Sequence, residues 1–222
     1  MGLERPELSH YGGFSVRLAI LSMGQSIDAW PGKCGDEYQK PYDEVWGLNG
    51  MGFVQGHGKV DPAEFDRLYV MDDLVNRLPY YAGHKLCDSL KKYEGRIITS
   101  RAYKDWPTTE RFPIEDCCKE FGLPLGVAMY SSPDYMIAHA IMDGFTSIDL
   151  FGVDNQDKAC FEMRAATALW IGVAMGRGLT VTTYSGSYHY LYTDTGCAME
   201  FGLYGYAFRP RIESLVFAPD DL

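Results

Sequence analysis

The sequence predicts an α/β domain: a mainly parallel sheet of about six strands with helices on both faces and a C-terminal aromatic lid or hairpin. Three observations carry this. Short apolar runs alternate with helix-like stretches, which implies parallel strands joined by right-handed crossovers. Each run exits into small or polar residues. Finally, Ser131–Asp154 (SSPDYMIAHAIMDGFTSIDLFGVD) reads as one helix–strand unit. There Ser132 caps the helix, Pro133 suits its first position, Asp134 complements the positive end of the dipole and Gly144 supplies the left-handed stop.

The strands follow in order. Leu18–Leu21 runs into the turn Ser22-Met23-Gly24-Gln25-Ser26, and Glu44–Leu48 ends at Asn49-Gly50. Phe65–Met71 ends at Asp72-Asp73, Arg96–Thr99 at Ser100-Arg101, and Ile148–Val153 at Asp154. Leu179–Thr183 closes the series, after a long helix over Asp157–Met175 stopped by Gly176 and Gly178. On that helix Trp170, Ile171 and Val173 read as core, and Glu162 and Arg164 as a solvated face. Thr183–Tyr206, rich in Tyr, Gly, Ser and Thr, reads equally as a loop packed on the sheet or as a lid over the strand exits.

With 222 residues and 46% apolar composition, the chain suits one domain over 1–222, with its core at about 17–184 and a lid or tail over about 185–222. No apolar run approaches the roughly 18 residues of a membrane span. The opening MGLERPELSHYGG lacks an apolar leader segment, and Pro6 spoils a myristoylation match. A cytoplasmic protein is expected. Six cysteines (Cys34, Cys87, Cys117, Cys118, Cys160, Cys197) form no CxxC pair, so reduced thiols and no structural metal are expected. The net charge of −10 argues against direct binding of duplex DNA, which wants clustered cations. A small anionic ligand fits this balance better.

Ligands of open α/β sheets bind outside the carboxyl ends of the strands, so the exits hold the candidate chemistry. Gly24, Gln25 and Ser26 form a turn suited to a phosphate, followed by a helix start with free N–H groups. Ser131 and Ser132 at a helix N-terminus form a second such turn, and the capping role alone also explains Ser132. Asp72, Asp73, Asp154 and Asp157 are candidate oxygen ligands for Mg²⁺ on a diphosphate, with Asp72 and Asp154 preferred as the metal pair. His189 is the candidate acid/base, with Asp154 and Asp157 as carboxylate alternatives. His139 reads as a core residue, and His57 lies in a glycine-rich loop.

Trp46-Gly47-Leu48-Asn49, Asp66-Arg67, Met71-Asp72, Ser131-Ser132, Tyr135-Met136-Ile137-Ala138 and Leu150-Phe151-Gly152-Val153-Asp154 together carry a resemblance. The chain resembles the Rossmann-like superfamily of small bacterial sialyltransferases, the motility-accessory-factor domain and archaeal-type hydroxymethylpterin pyrophosphokinases, and is close to short phage proteins. The likeness spans about residues 17–206. It implies a nucleotide pocket lined by Gly24, Ser26, Asn49, Ser131 and Ser132, to which the strand-exit reading adds Gln25, Gly50 and Asp72, and a transferase using a nucleotide-sugar donor. Two departures stand out. Met23 occupies the place of an asparagine, and Asp157 and Lys158 stand where the family has a histidine base.

The resulting expectation is a glycosyltransferase-like enzyme, with phage-encoded modification of a nucleobase or DNA as one setting. The alternatives are an Mg²⁺-dependent pyrophosphokinase and a non-catalytic nucleotide-sequestering phage protein. The aromatic residues from Tyr188 to Tyr206 would also suit a homodimer contact.

Overall fold

The computed structural model describes residues 15–32, 41–51, 60–74, 84–104, 106, 108–122, 129–155 and 161–184, with backbone alone at 84–87 and 161. Its centre is a seven-stranded sheet in which every neighbouring pair is parallel. The strands are β1 (Arg17–Leu21), β2 (Glu44–Leu48), β3 (Arg67–Val70), β4 (Arg96–Thr99), β5 (Thr109–Arg111), β6 (Ser147–Phe151) and β7 (Thr180–Thr183). Their order across the sheet is β5-β4-β3-β2-β1-β6-β7. From β1 the chain winds outward as far as β5, then returns to lay β6 against the free side of β1. The winding direction therefore reverses between β1 and β6.

Strand alternation sorts the apolar residues into two cores. Leu18, Ile20, Trp46, Leu48, Tyr69, Ile148 and Leu150 face helices α2 (Ile114–Phe121), α3 (Ser132–Met142) and α4 (Phe161–Gly176), whose Cys117, Met136, Ile137, Trp170 and Ile171 cover them. Ala19, Leu21, Val45, Leu68, Val70, Ile97 and Phe151 face the other side, covered by Leu90 of α1 (His84–Lys92) with Val60 and Trp106. Each fully buried Leu or Ile contributes ~1.5–3 kcal/mol. The expected helices on both faces are present. Among the described residues, no helix is long and apolar enough to cross a membrane.

Three expectations need correction. Thr109–Arg111 is a strand that the sequence concealed, because a short polar edge strand has no apolar alternation to display. The cap of α3 is Ser131, one residue earlier than expected, because Asp134 at the third helical position accepts the Ser131 N–H at 2.8 Å. Finally, β6 stops at Phe151 and not at Val153: Gly152 turns the chain at φ +69°, so Asp154 folds back instead of leaving straight along the strand.

The opposite end of the sheet is a structural clasp. Arg67, 8% exposed, pairs with Glu44 at 3.0 Å and Asp143 at 2.5 Å and lies over the Trp46 ring. His139 sits beside it in the core, its Nδ1 2.7 Å from the Tyr69 hydroxyl.

Candidate functional site at the switch between β1 and β6

The exit loops of β1 and β6 are locked together. Ser22 N–H donates to the Phe151 carbonyl and Gly24 N–H to the Gly152 carbonyl, both at 2.8 Å. The Asp154 carboxylate accepts from the Ser26 N–H at 2.9 Å through Oδ2, and from the Ser26 hydroxyl through Oδ1. Ser26 Oγ in turn accepts from Gly152 N–H at 2.8 Å. Glycine is required at position 24, since a Cβ there would lie 2.5 Å from both Asp154 Oδ2 and the Gly152 carbonyl oxygen.

This lock revises two roles expected from sequence. The segment after the β1 turn is a five-residue 3-10 helix, Gln25–Ala29, too short to present an anion-binding start, and its Ser26 amide is given to Asp154. Asp154 is 6% exposed, with both oxygens engaged by Ser26. Its evident work is to hold the two exits in register. Gln25 projects into solvent.

Beside the lock lies a second polar group. Asp134, fully buried at the start of α3, accepts from the N–H groups of Tyr130 and Ser131 at 2.8 Å and from Thr167 of α4 at 2.7 Å. Burial pushes its carboxyl above the usual range, opposed by the hydrogen bonds from Thr167, Ser131 and Tyr130. Thr167 Oγ1 lies 3.3 Å from the Ser131 hydroxyl and from Asn155 Nδ2. Asn155, at φ +45°, holds Arg164 of α4, whose Nε and Nη2 donate to the Asn155 carbonyl at 2.9 and 2.6 Å. Arg164 is thus anchored to the β6 exit and is not a residue of a solvated face. A cation one turn into a helix was readable in the sequence; the left-handed turn that aims the Asn155 carbonyl at it was not.

Asn49 marks the β2 exit, one strand spacing (~4.8 Å) from β1. It adopts φ +51°, and its buried Oδ1 has no hydrogen-bond partner among the described residues. Gly50 is buried behind it. Ser131 and Ser132 are half-buried at the head of α3.

The expected metal pair is not brought together. Asp72 lies at the β3 exit, three strand spacings or ~14 Å from that of β6. Asp73 is held by Arg101 and Tyr103. Since Mg²⁺ needs oxygens near 2.1 Å, Asp72 and Asp154 do not fit a shared ion. Among the described residues no cluster of three His, Cys, Asp or Glu could hold a metal. His189, Asp157 and the Thr183–Tyr206 segment beyond Tyr184 lie outside the described residues. An open hollow of about 550 Å³, lined by Phe65, Lys92 and Tyr93 among others, sits at the far end of the sheet and is unrelated to these exits.

No protein-family model matches the chain. No curated protein matches it. Among solved structures it is similar to the sialyltransferase CstII from Campylobacter jejuni in complex with the substrate analogue CMP-3FNeuAc, at 14% identity and TM-score 0.48, covering 76% of this chain and 79% of that one. It is similar also to the same enzyme with cytidine-5'-monophosphate, at 16% identity and TM-score 0.48 over 76% and 79%.

Proposed function

We propose that the chain binds a nucleotide sugar at the carboxyl edge between β1 and β6 and transfers the sugar to an acceptor hydroxyl. The observation that carries this reading is the reversal of winding at that edge. Helices cannot cover both diverging exits there, and doubly wound sheets bind ligands in the resulting crevice. Asn49 supports it: a buried acceptor without a hydrogen-bond partner among the described residues, in a left-handed conformation, suits a donor supplied by a ligand, such as a base amine or ribose hydroxyl. The sequence resemblance points to the same chemistry.

In this reading Asn49, Ser131 and Ser132 hold the nucleotide, and the Ser26–Asp154 lock fixes the floor beneath it. The acceptor oxygen attacks the anomeric carbon, the bond from that carbon to the phosphate oxygen breaks, and the nucleotide leaves with the electron pair. His189 or Asp157 takes the acceptor proton. Among the described residues, Asp72 and Asp154 stand too far apart to share an Mg²⁺, and no step is routed through a metal.

The test is incubation with CMP-, UDP- and GDP-sugars, with mass spectrometry of retained and released species. Retention of one nucleotide family is expected, weakened ~10-fold by Asn49→Ala. Binding of none of them overturns the proposal. AMP released from ATP with Mg²⁺ would indicate diphosphate transfer, and tight retention without turnover would indicate sequestration.

A further inference from the structure

We infer that the outward face of α4 is a self-association surface, on which a second copy of this chain packs antiparallel across a two-fold axis. A helix at the surface of a protein normally carries charged or polar side chains on its outer face. From Ala165 to Gly176, α4 carries no charge, and its one hydroxyl side chain, Thr167, is buried against Asp134. Ala166, Trp170, Ile171 and Ala174 turn inward to the core. The opposite stripe is Ala165, Leu169, Gly172 and Gly176, all exposed, with Leu169 50% exposed.

The two glycines carry the argument further. Glycine destabilises a helix relative to alanine, and it suits places where another element must approach closely. Among the described residues no atom lies within 4 Å of a Cβ built at Gly172 or Gly176. The described part of the fold therefore gives neither glycine a steric reason. The stripe's spacing of four, three and four residues is that of a seam between two helices. Its order is also self-complementary, as a two-fold contact requires. With the axis through the middle of the stripe, Leu169 of each copy meets Gly172 of the other, and Ala165 meets Gly176. The bulkiest side chain thus faces the missing one. The ends agree in charge: antiparallel packing brings the exposed Glu162, at the start of α4, toward Arg177 of the second copy, just past its end. Arg177 pairs with Glu120 of its own chain at 2.5 Å, so Glu162 joins an existing ion pair at the rim. A covering segment of the same chain would need no such symmetry, which favours a second copy.

Sedimentation equilibrium of the full chain is the test, with half-dimerisation expected at ~1–50 µM. Leu169→Glu should weaken association at least ~30-fold, because it buries a charge at the centre of the contact. Gly172→Leu should also weaken it ~30-fold or more, since two leucines then compete for one space. In the monomer, followed by urea denaturation at submicromolar concentration, Gly172→Leu should leave the midpoint at or above the parent's, because leucine is the better helix former. Adding Leu169→Ala to Gly172→Leu should restore association to within ~5-fold of the parent, the bulk now standing on the other side of the axis. A chain that stays monomeric up to ~500 µM would overturn the inference. In that event a lower urea midpoint for Leu169→Glu would point to residues 185–222 as the cover, and an unchanged one to a different protein. A dimer untouched by Leu169→Glu and Gly172→Leu would overturn it too, as would a double variant no better than Gly172→Leu alone.

Discussion

Ser26 gives both its N–H and its hydroxyl to the carboxylate of Asp154, a residue 128 positions away in sequence. These bonds tie the first strand's exit to the sixth's at the point where the sheet reverses. Replacing either residue leaves buried polar partners unmatched, at about 1–3 kcal/mol each. Ser26→Ala and Asp154→Asn should therefore each destabilise by that amount, and the double variant by clearly less than their sum. Urea denaturation of the four proteins checks this. Additive losses would show that the two side chains do not act as one unit.

Gly152 stands at φ +69° with the Ser22 carbonyl oxygen 2.1 Å from where a Cβ would sit. That oxygen belongs to backbone held by the Ser22–Phe151 bond, so it has no room to give. Gly152→Ala should cost about 3 kcal/mol or more. Gly144, at φ +81° with no atom within 4 Å of a built Cβ, is the control. Gly144→Ala should cost only ~1–2 kcal/mol, the price of the left-handed conformation alone. Thermal melts of the two variants separate steric exclusion from backbone strain.

Much of this architecture was legible in the sequence, and the limits have physical causes. Glu44–Leu48 and Arg96–Thr99 were marked to the residue, because a buried parallel strand is a short apolar run with a polar stop. Gly144 was legible as a helix stop for the same local reason. Thr109–Arg111 was not, since its place depends on pairing with β4 and not on its own composition. At the site, Ser26, Asn49 and Asp154 could be named from strand exits and Ser131 from a helix start, and Ser26 and Asp154 do meet. Asp154 nonetheless folds back onto Ser26 because Gly152 bends the chain, and Arg164 meets the β6 exit through the Asn155 carbonyl. Both depend on left-handed turns, which sequence pattern marks weakly.

His139 should make stability fall on mild acidification. Burial holds its pKa below the ordinary 6.5, against the pull of Asp143 and with Arg67 and Arg96 also opposing the charge. Tyr69, whose own pKa burial raises, keeps its hydroxyl proton, and its oxygen lies 2.7 Å from His139 Nδ1, a contact open to the neutral ring in either tautomer. Between the depressed native value and 6.5 the unfolded chain binds more protons than the folded one, so stability is full above 6.5 and drains as pH falls through that window. His139→Gln should flatten this part of the profile. An unchanged slope in urea titrations from pH 7 downward would show that His139 does not carry it.

Asp149 lies in the middle of β6 with its side chain 6% exposed, and its Oδ2 accepts from Arg17 at 2.8 Å and from the Tyr42 hydroxyl at 2.7 Å. The Arg17 guanidinium also lies over the Tyr42 ring at 4.5 Å. Taking away the cation strands a buried carboxylate on one neutral donor, a loss of ~3–5 kcal/mol. Arg17→Met should show that loss, and Tyr42→Phe a smaller one of ~1–2 kcal/mol, because the ion pair survives it. The decisive protein is Arg17→Met with Asp149→Asn. An amide costs far less to bury than an unpaired carboxylate, so the second change should recover ~1–2 kcal/mol of what the first removed. A double variant less stable than Arg17→Met alone would mean that packing, and not the buried charge, sets the cost at this position.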